Sequence, residues 1–233
     1  MQITMTASLK KILVIFPVLL LTVFFMHDHY ASDYAHTSKG RVLFFAFTLL
    51  LLYAWMFYDL IKREPGTLLK VGVNSSFYVY IFMVLTLTGY FILFREVSMH
   101  EWWHKMIVRV EKKDRVNLEL FKVFKIYRIT NRQVLGNLVM LFPLGIYLPL
   151  LYRKMTGFFK VTFFCMLFSV GIELLQLITS YRSTDIDDVL LNTTGAAFGY
   201  ITYLVFSNYF KSFNTSGKAE KDISYRASVN WLK

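Results

Sequence analysis

Glu173 and Gln176 stand inside an apolar run, and a charged turn carrying Arg182, Asp185, Asp187, Asp188 and then Asn192 follows directly. A lone carboxylate in hydrocarbon is costly unless it is paired, hydrogen-bonded or protonated, so such residues are candidates for function. By helical rise Glu173 lies about 8 Å in from the end of its run at Ile178, and Gln176, three residues on, shares its face. Asp185, Asp188, Asn192, Gly195 and Gly199 recur at intervals of 3, 4, 3 and 4, which places them on one helical stripe. Asn137 lies three residues inside another apolar run, as Asn192 does in its own, and so at a similar depth. Gathered together, these groups could do three kinds of chemistry: Arg182 could contact phosphate, the amides could orient sugar or peptide groups, and Glu173 could exchange a proton while Asp188 polarises a partner. The candidate ligand-binding set is Asn137, Glu173, Gln176, Arg182, Asp185, Asp188 and Asn192.

Structural duties compete for the same residues. Asp187 follows Thr184 by three positions, as in a capping box. Asn137 and Asn192 equally suit interhelical hydrogen bonding, and Glu173 with Arg182 could be an ion pair that specifies packing alone. Pro143 and Gly145 are expected to shape the helix that holds them.

A second pattern, HEWWH from His100 to His104, satisfies the zinc-protease spacing H-E-x-x-H, in which two histidines one turn apart bind metal and the glutamate activates water. Both variable positions are Trp, and the neighbouring residues mix apolar, aromatic and basic types. An interface-bound helix anchored by Trp102 and Trp103 is the preferred reading, with no metal expected. No third ligand is obvious; Glu111, Asp114 or the distant loop with His27, His29 and His36 would have to supply it. No G-x-S-x-G elbow or P-loop is present, and no cofactor is expected.

The elements that must position these groups are membrane spans. The chain has 233 residues, 56% of them hydrophobic, in long apolar blocks, and a helix needs about 20 apolar residues to cross the hydrocarbon layer. Six blocks approach this length: Ile12 to Met26, Val42 to Tyr58, Phe77 to Phe94, Val134 to Tyr152, Phe158 to Ile178 and Val189 to Phe206. The first resembles a secretory signal, but HDHYASDYA offers no clean cleavage site and the block is read as an uncleaved span. A net charge of +11 is explained by loops beside anionic headgroups, so nucleic acid is not an expected partner. Lone Cys165 cannot form an internal disulfide. The expected fold is all-α, a polytopic transmembrane bundle of about six spans with an interfacial amphipathic segment in the loop 95–133. Lys and Arg divide evenly between the two sides. Discounting the long loop puts the termini in the cytoplasm.

The segments NLVMLFPLG from Asn137 to Gly145, IELLQ from Ile172 to Gln176, and RSTDIDDVLLNTTGAAFG from Arg182 to Gly199 resemble, in order and spacing, the signatures of the VanZ-like family. RVNLELF, Arg115 to Phe121, is similar to the family's preceding segment but has Glu119 where proline is more usual, which leaves the role of Asn117 open. The resemblance implies a VanZ-like core at 77–207, after a two-span extension at 1–76 and before a polar tail at 208–233. It also implies a multi-pass plasma-membrane protein that reduces the effect of teicoplanin and related lipoglycopeptides on the cell wall. The partners it implies are membrane lipids and a lipid-linked cell-wall precursor or the drug. The alternatives remain a membrane-embedded enzyme acting through Glu173 and Asp188, the zinc protease, or a proton-coupled transporter.

Overall fold

The computed structural model describes residues 6–30, 39–62, 67–92, 99–112, 115–126, 131–178 and 183–206. They form an all-helical protein with one two-residue strand pair, in two compact units that meet in the chain between Met83 and Val84. The polar tail expected after Asn208 lies outside the described residues.

In the first unit, helices α1 (Ala7–Tyr30), α2 (Lys39–Lys62) and α3 (Leu68–Leu87) grow from the first three apolar blocks. Burial follows narrow seams. Val14, Val18, Thr22 and Phe25 are buried on α1, while Ile12, Phe16, Leu20 and Phe24 on other faces are exposed. Phe25 stacks on Phe45 with ring centroids 5.3 Å apart and meets Phe82 edge-on at 6.0 Å, and Trp55 packs edge-on against both Phe77 and Tyr78. So much apolar surface turned outward on every helix is compatible with lipid and not with water.

The third helix differs from expectation. It starts at Leu68, not near Phe77, because its polar residues are satisfied within it: the Asn74 amide donates to the Lys70 carbonyl and the Ser76 hydroxyl to that of Val73. It stops at Leu87 because Gly89 takes φ 74°, and a short 3-10 turn at Tyr90–Ile92 follows. α2 likewise extends past Tyr58 and takes in Asp59, whose carboxylate accepts the Tyr78 hydroxyl at 2.8 Å in a buried pair. A second acid, Asp59, thus lies near the end of a spanning helix, three residues before α2 stops at Lys62.

The second unit contains α4 (Met99–Lys112), β1 (Val116–Asn117), α5 (Lys122–Ile126), α6 (Arg132–Met140), α7 (Phe142–Leu151), α8 (Phe158–Ile178), β2 (Thr184–Asp185) and α9 (Ile186–Val205). What was expected as one helix, Val134 to Tyr152, is two, joined at Leu141. Pro143 lacks the N–H that would bond the Val139 carbonyl, and its ring obstructs a continuous turn. Together α6 and α7 still reach spanning length. Among the described residues five segments are long and apolar enough to cross a membrane: Ala7–His27, Phe45–Lys62, Leu68–Leu87, Arg132–Leu151 and Phe158–Leu177. The chain is a multi-pass membrane protein. The expected sixth span, α9, is a helix of 20 residues, but Asp187, Asp188, Asn192 and its threonines make it too polar to join that group.

α9 is instead buried against its neighbours at backbone contact. A Cβ added at Gly195 would sit 1.8 Å from the Leu138 carbonyl oxygen, one at Gly199 2.0 Å from that of Phe142, and one at Gly145 2.0 Å from that of Ala196. Both chains advance four residues between the first two contacts, so α9 runs parallel to α6 and α7 and the two begin at the same membrane surface. Gly195→Ala should therefore force the helices apart, lowering stability by about 1–3 kcal/mol or more and the detergent-solubilised melting temperature with it. Gly136→Ala, where a Cβ meets nothing within 4 Å, should leave that temperature unchanged or raise it.

Candidate functional site

The turn between α8 and α9 is held by a chain of carboxylates, each given backbone or amide donors. Glu173, buried near the end of α8, accepts the Asp185 N–H at 2.9 Å through Oε2, while its backbone carbonyl accepts the Thr184 hydroxyl. Asp185 is the N-cap of α9: its Oδ1 accepts the Asp187 N–H at 2.9 Å and the Asn117 amide, also at 2.9 Å. That amide belongs to β1, which pairs in parallel with β2, Val116 opposite Thr184 and Asn117 opposite Asp185. The Thr184 N–H is taken by the Arg115 carbonyl.

Asp187 is fully buried, and its two oxygens accept the N–H groups of Phe121 at 2.6 Å and Val123 at 2.7 Å. This is a correction to the capping-box reading, since Asp187 does not reach back to Thr184; the cap is Asp185, and Asp187 clamps the start of α5. The clamp fits the backbone there. Arg115 and Phe121 both have positive φ, 54° and 65°, conformations that an L side chain adopts only when surrounding bonds over-determine them. Val123, Val134 and Leu191 close a small apolar core beneath.

One turn along α9 the character changes. The Asn137 amide on α6 lies beside the Asp188 carboxyl group, in range to interact with it, but Asn137 Nδ2 and Asp188 Oδ1 are both buried atoms without a completed hydrogen bond. Asn192, fully buried, donates from Nδ2 to Ser169 Oγ on α8 at 2.9 Å and leaves its Oδ1 unpartnered. Thr193 Oγ1, next to it along α9, is unpartnered as well. Most buried polar atoms in folded proteins have partners. Here four exceptions fall on Asn137 of α6 and on Asp188, Asn192 and Thr193 of α9.

The structure thus brings Glu173, Asp185, Asp188, Asn192 and Asn137 to one end of α6, α8 and α9. Arg182 lies outside the described residues. Gln176 supplies its backbone carbonyl, together with that of Leu177, to the buried guanidinium of Arg109 at 3.1 and 2.6 Å. Arg109 belongs to α4, the amphipathic helix expected to face headgroups. It instead satisfies the last carbonyls of α8, where a cation also complements the helix dipole, while Trp103, Ile107 and Val110 remain exposed. Within HEWWH, the side chains of His100, Glu101 and Trp102 lie outside the described residues, His104 is exposed, and no group of three potential metal ligands occurs among the described residues.

A scan against family models matches residues 77–207 to the family described as VanZ/LLP1, more than half of the chain. The chain belongs to the VanZ/LLP1 family. Comparison with curated proteins and with solved structures gives no match. The VanZ/LLP1 region contains every residue of the cluster, and it includes Asn117, whose role is now evident: it ties β1 to the α9 cap. Glu119, the departure from the usual proline, sits exposed and paired to Lys125 at 3.2 Å, while its N–H goes to Asn117 Oδ1.

Sequence reasoning missed Ser169, Arg109 and the clamp at Asp187. Ser169 could have been found, being four residues before Glu173 and so on its face; Arg109 could not, since its partners are backbone carbonyls. Asp187→Ala should leave the Phe121 and Val123 N–H groups without their acceptor. The expected cost is about 3 kcal/mol or more, read as a lower melting temperature and faster protease cleavage within 115–126. Asp187→Asn should recover part of this, because it keeps one acceptor oxygen.

Proposed function

We propose that this VanZ/LLP1 protein contributes to resistance to teicoplanin-type lipoglycopeptides by binding a lipid headgroup or lipid-linked cell-wall precursor in the polar recess at the shared end of α6, α8 and α9. The observation that carries this reading is that three of the buried atoms without protein partners, Asn137 Nδ2, Asp188 Oδ1 and Asn192 Oδ1, belong to residues of this one cluster. Leaving them unsatisfied in an apolar surrounding costs about 1–3 kcal/mol each, a cost that a ligand removes on binding. Asn137 and Asp188 are half-buried residues, so a headgroup meets their outer atoms first and must displace neighbouring side chains to reach the unpartnered ones.

In this reading the plasma membrane holds the protein with its termini in the cytoplasm and the α8–α9 turn outside, where the drug and its target meet. Arg182, beside Ser183 in the sequence, is the cation assigned to phosphate, and α4 lies in the headgroup layer on its exposed Trp103, Ile107 and Val110 face. An enzymatic role through Glu173 is less well supported, because its carboxylate already serves the Asp185 amide. Cells expressing Asp188→Ala or Arg182→Ala variants, at membrane levels equal to the parent, should lose protection against teicoplanin. Full protection by both would sink the assignment of the recess. In a Cys165→Ser background, Ser183→Cys at the exposed turn should react with a membrane-impermeant thiol reagent in intact cells, and labelling confined to opened cells would place the recess on the wrong side.

A further inference from the structure

The hydrogen-bonding capacity of the recess discriminates among headgroup chemistries. Asn137 Nδ2 is a donor; Asp188 Oδ1 beside it, and Asn192 Oδ1 one turn further along α9, are acceptors. A hydroxyl group both accepts and donates, so one hydroxyl can accept from Asn137 while donating to Asp188, and a second can donate to Asn192. An ammonium group satisfies the two acceptors but leaves the Asn137 donor without a partner. A phosphate satisfies Asn137 but meets Asp188, whose charged neighbours among the described residues are the carboxylates Asp185 and Asp187; at such range like charges repel strongly in a low-dielectric site. In the structure Asn192 turns its carbonyl oxygen this way, its amide being bonded to Ser169 Oγ.

We infer that Asn137, Asp188 and Asn192 form a subsite for a polyhydroxyl group, so that the part of the lipid entering the recess is a sugar or polyol and any phosphate stays outside it. This rests on the reading of the recess as a lipid site. Within that reading, selectivity among headgroups falls to this pattern of one donor and two acceptors.

The test is direct binding to the full-length protein in detergent, by native mass spectrometry, of four lipids with matched chains where the chemistry allows. Two carry sugars, diglucosyl diacylglycerol and a polyprenyl-diphosphate-linked disaccharide; phosphatidylethanolamine offers ammonium and phosphatidic acid offers phosphate alone. At least one sugar lipid should bind about tenfold or more tightly than either control. Binding of both sugar lipids identifies the sugar as sufficient, and binding of the disaccharide lipid alone identifies the precursor as the source. Asn137→Leu, or Asn137→Ala if the first fails to fold, should weaken sugar-lipid binding about tenfold. Asp188→Asn, which keeps an acceptor oxygen, should weaken it far less. Preference for phosphatidylethanolamine, lost in Asp188→Asn and kept in the Asn137 variant, would overturn the sugar assignment while leaving a lipid site standing, as would preference for phosphatidic acid. If neither variant alters binding of any lipid, the subsite and the lipid reading fall together.

Discussion

The absence of a Cβ at Gly145, Gly195 and Gly199 sets how near α9 can come to α6 and α7, and the polar chemistry of the second unit depends on that approach. Backbone carbonyls of Leu138, Phe142 and Ala196 occupy the space where those side chains would begin. Asn137, Asp188 and Asn192 have short side chains. They can meet across a helix interface only when the backbones nearly touch, and in the lipid-surrounded part of the bundle there is no water to bridge a wider gap. The same contact makes the two helices parallel, so that their polar ends open at one surface.

That geometry allows four neighbouring carboxylates to coexist because three of them have structural tasks. Glu173 holds the Asp185 N–H, Asp185 caps α9 and receives Asn117, and Asp187 holds the backbone on either side of Lys122. Each negative charge is met by oriented N–H dipoles, which stabilise it as counter-ions would. Asp188 is the one of the four with a buried oxygen left over, beside an amide that is also incompletely bonded. The turn is thus rigid where it supports the recess and unsatisfied where a ligand would enter.

Much of this was legible in the sequence. The 3-4-3-4 spacing from Asp185 to Gly199 placed one stripe on one helix, and the matching depth of Asn137 and Asn192 anticipated parallel helices starting together. Span number and limits were read less well, because apolar content decides them only when polar residues lack internal partners: Asn74 and Ser76 bond their own helix and extend α3, while Pro143 divides a run that composition alone shows as continuous. The duties of Asp187 and Arg109 were hidden for a different reason. Both serve backbone groups of distant segments, Phe121 and Val123 for one, Gln176 and Leu177 for the other, and a backbone partner leaves no residue type to recognise. The resemblance carried by Asn137, Glu173 and Asp185 to Asn192 reached the VanZ/LLP1 family from residues that mostly build the turn, while Asn137, Asp188 and Asn192 each keep a buried polar atom without a partner.

The account stands on side chains from separate helices converging in one recess, and cross-linking tests this most directly. With Cys165 replaced by Ser, the pair Asn137→Cys and Asp188→Cys should join rapidly under mild oxidation or through a bridging mercuric ion. The pair Leu135→Cys and Asp188→Cys should not, because Leu135 is exposed on α6 while Asn137 lies beside Asp188. Efficient joining of the first pair alone is the predicted result; joining of neither, or of both equally, in protein that remains folded would contradict the convergence on which the functional reading is built.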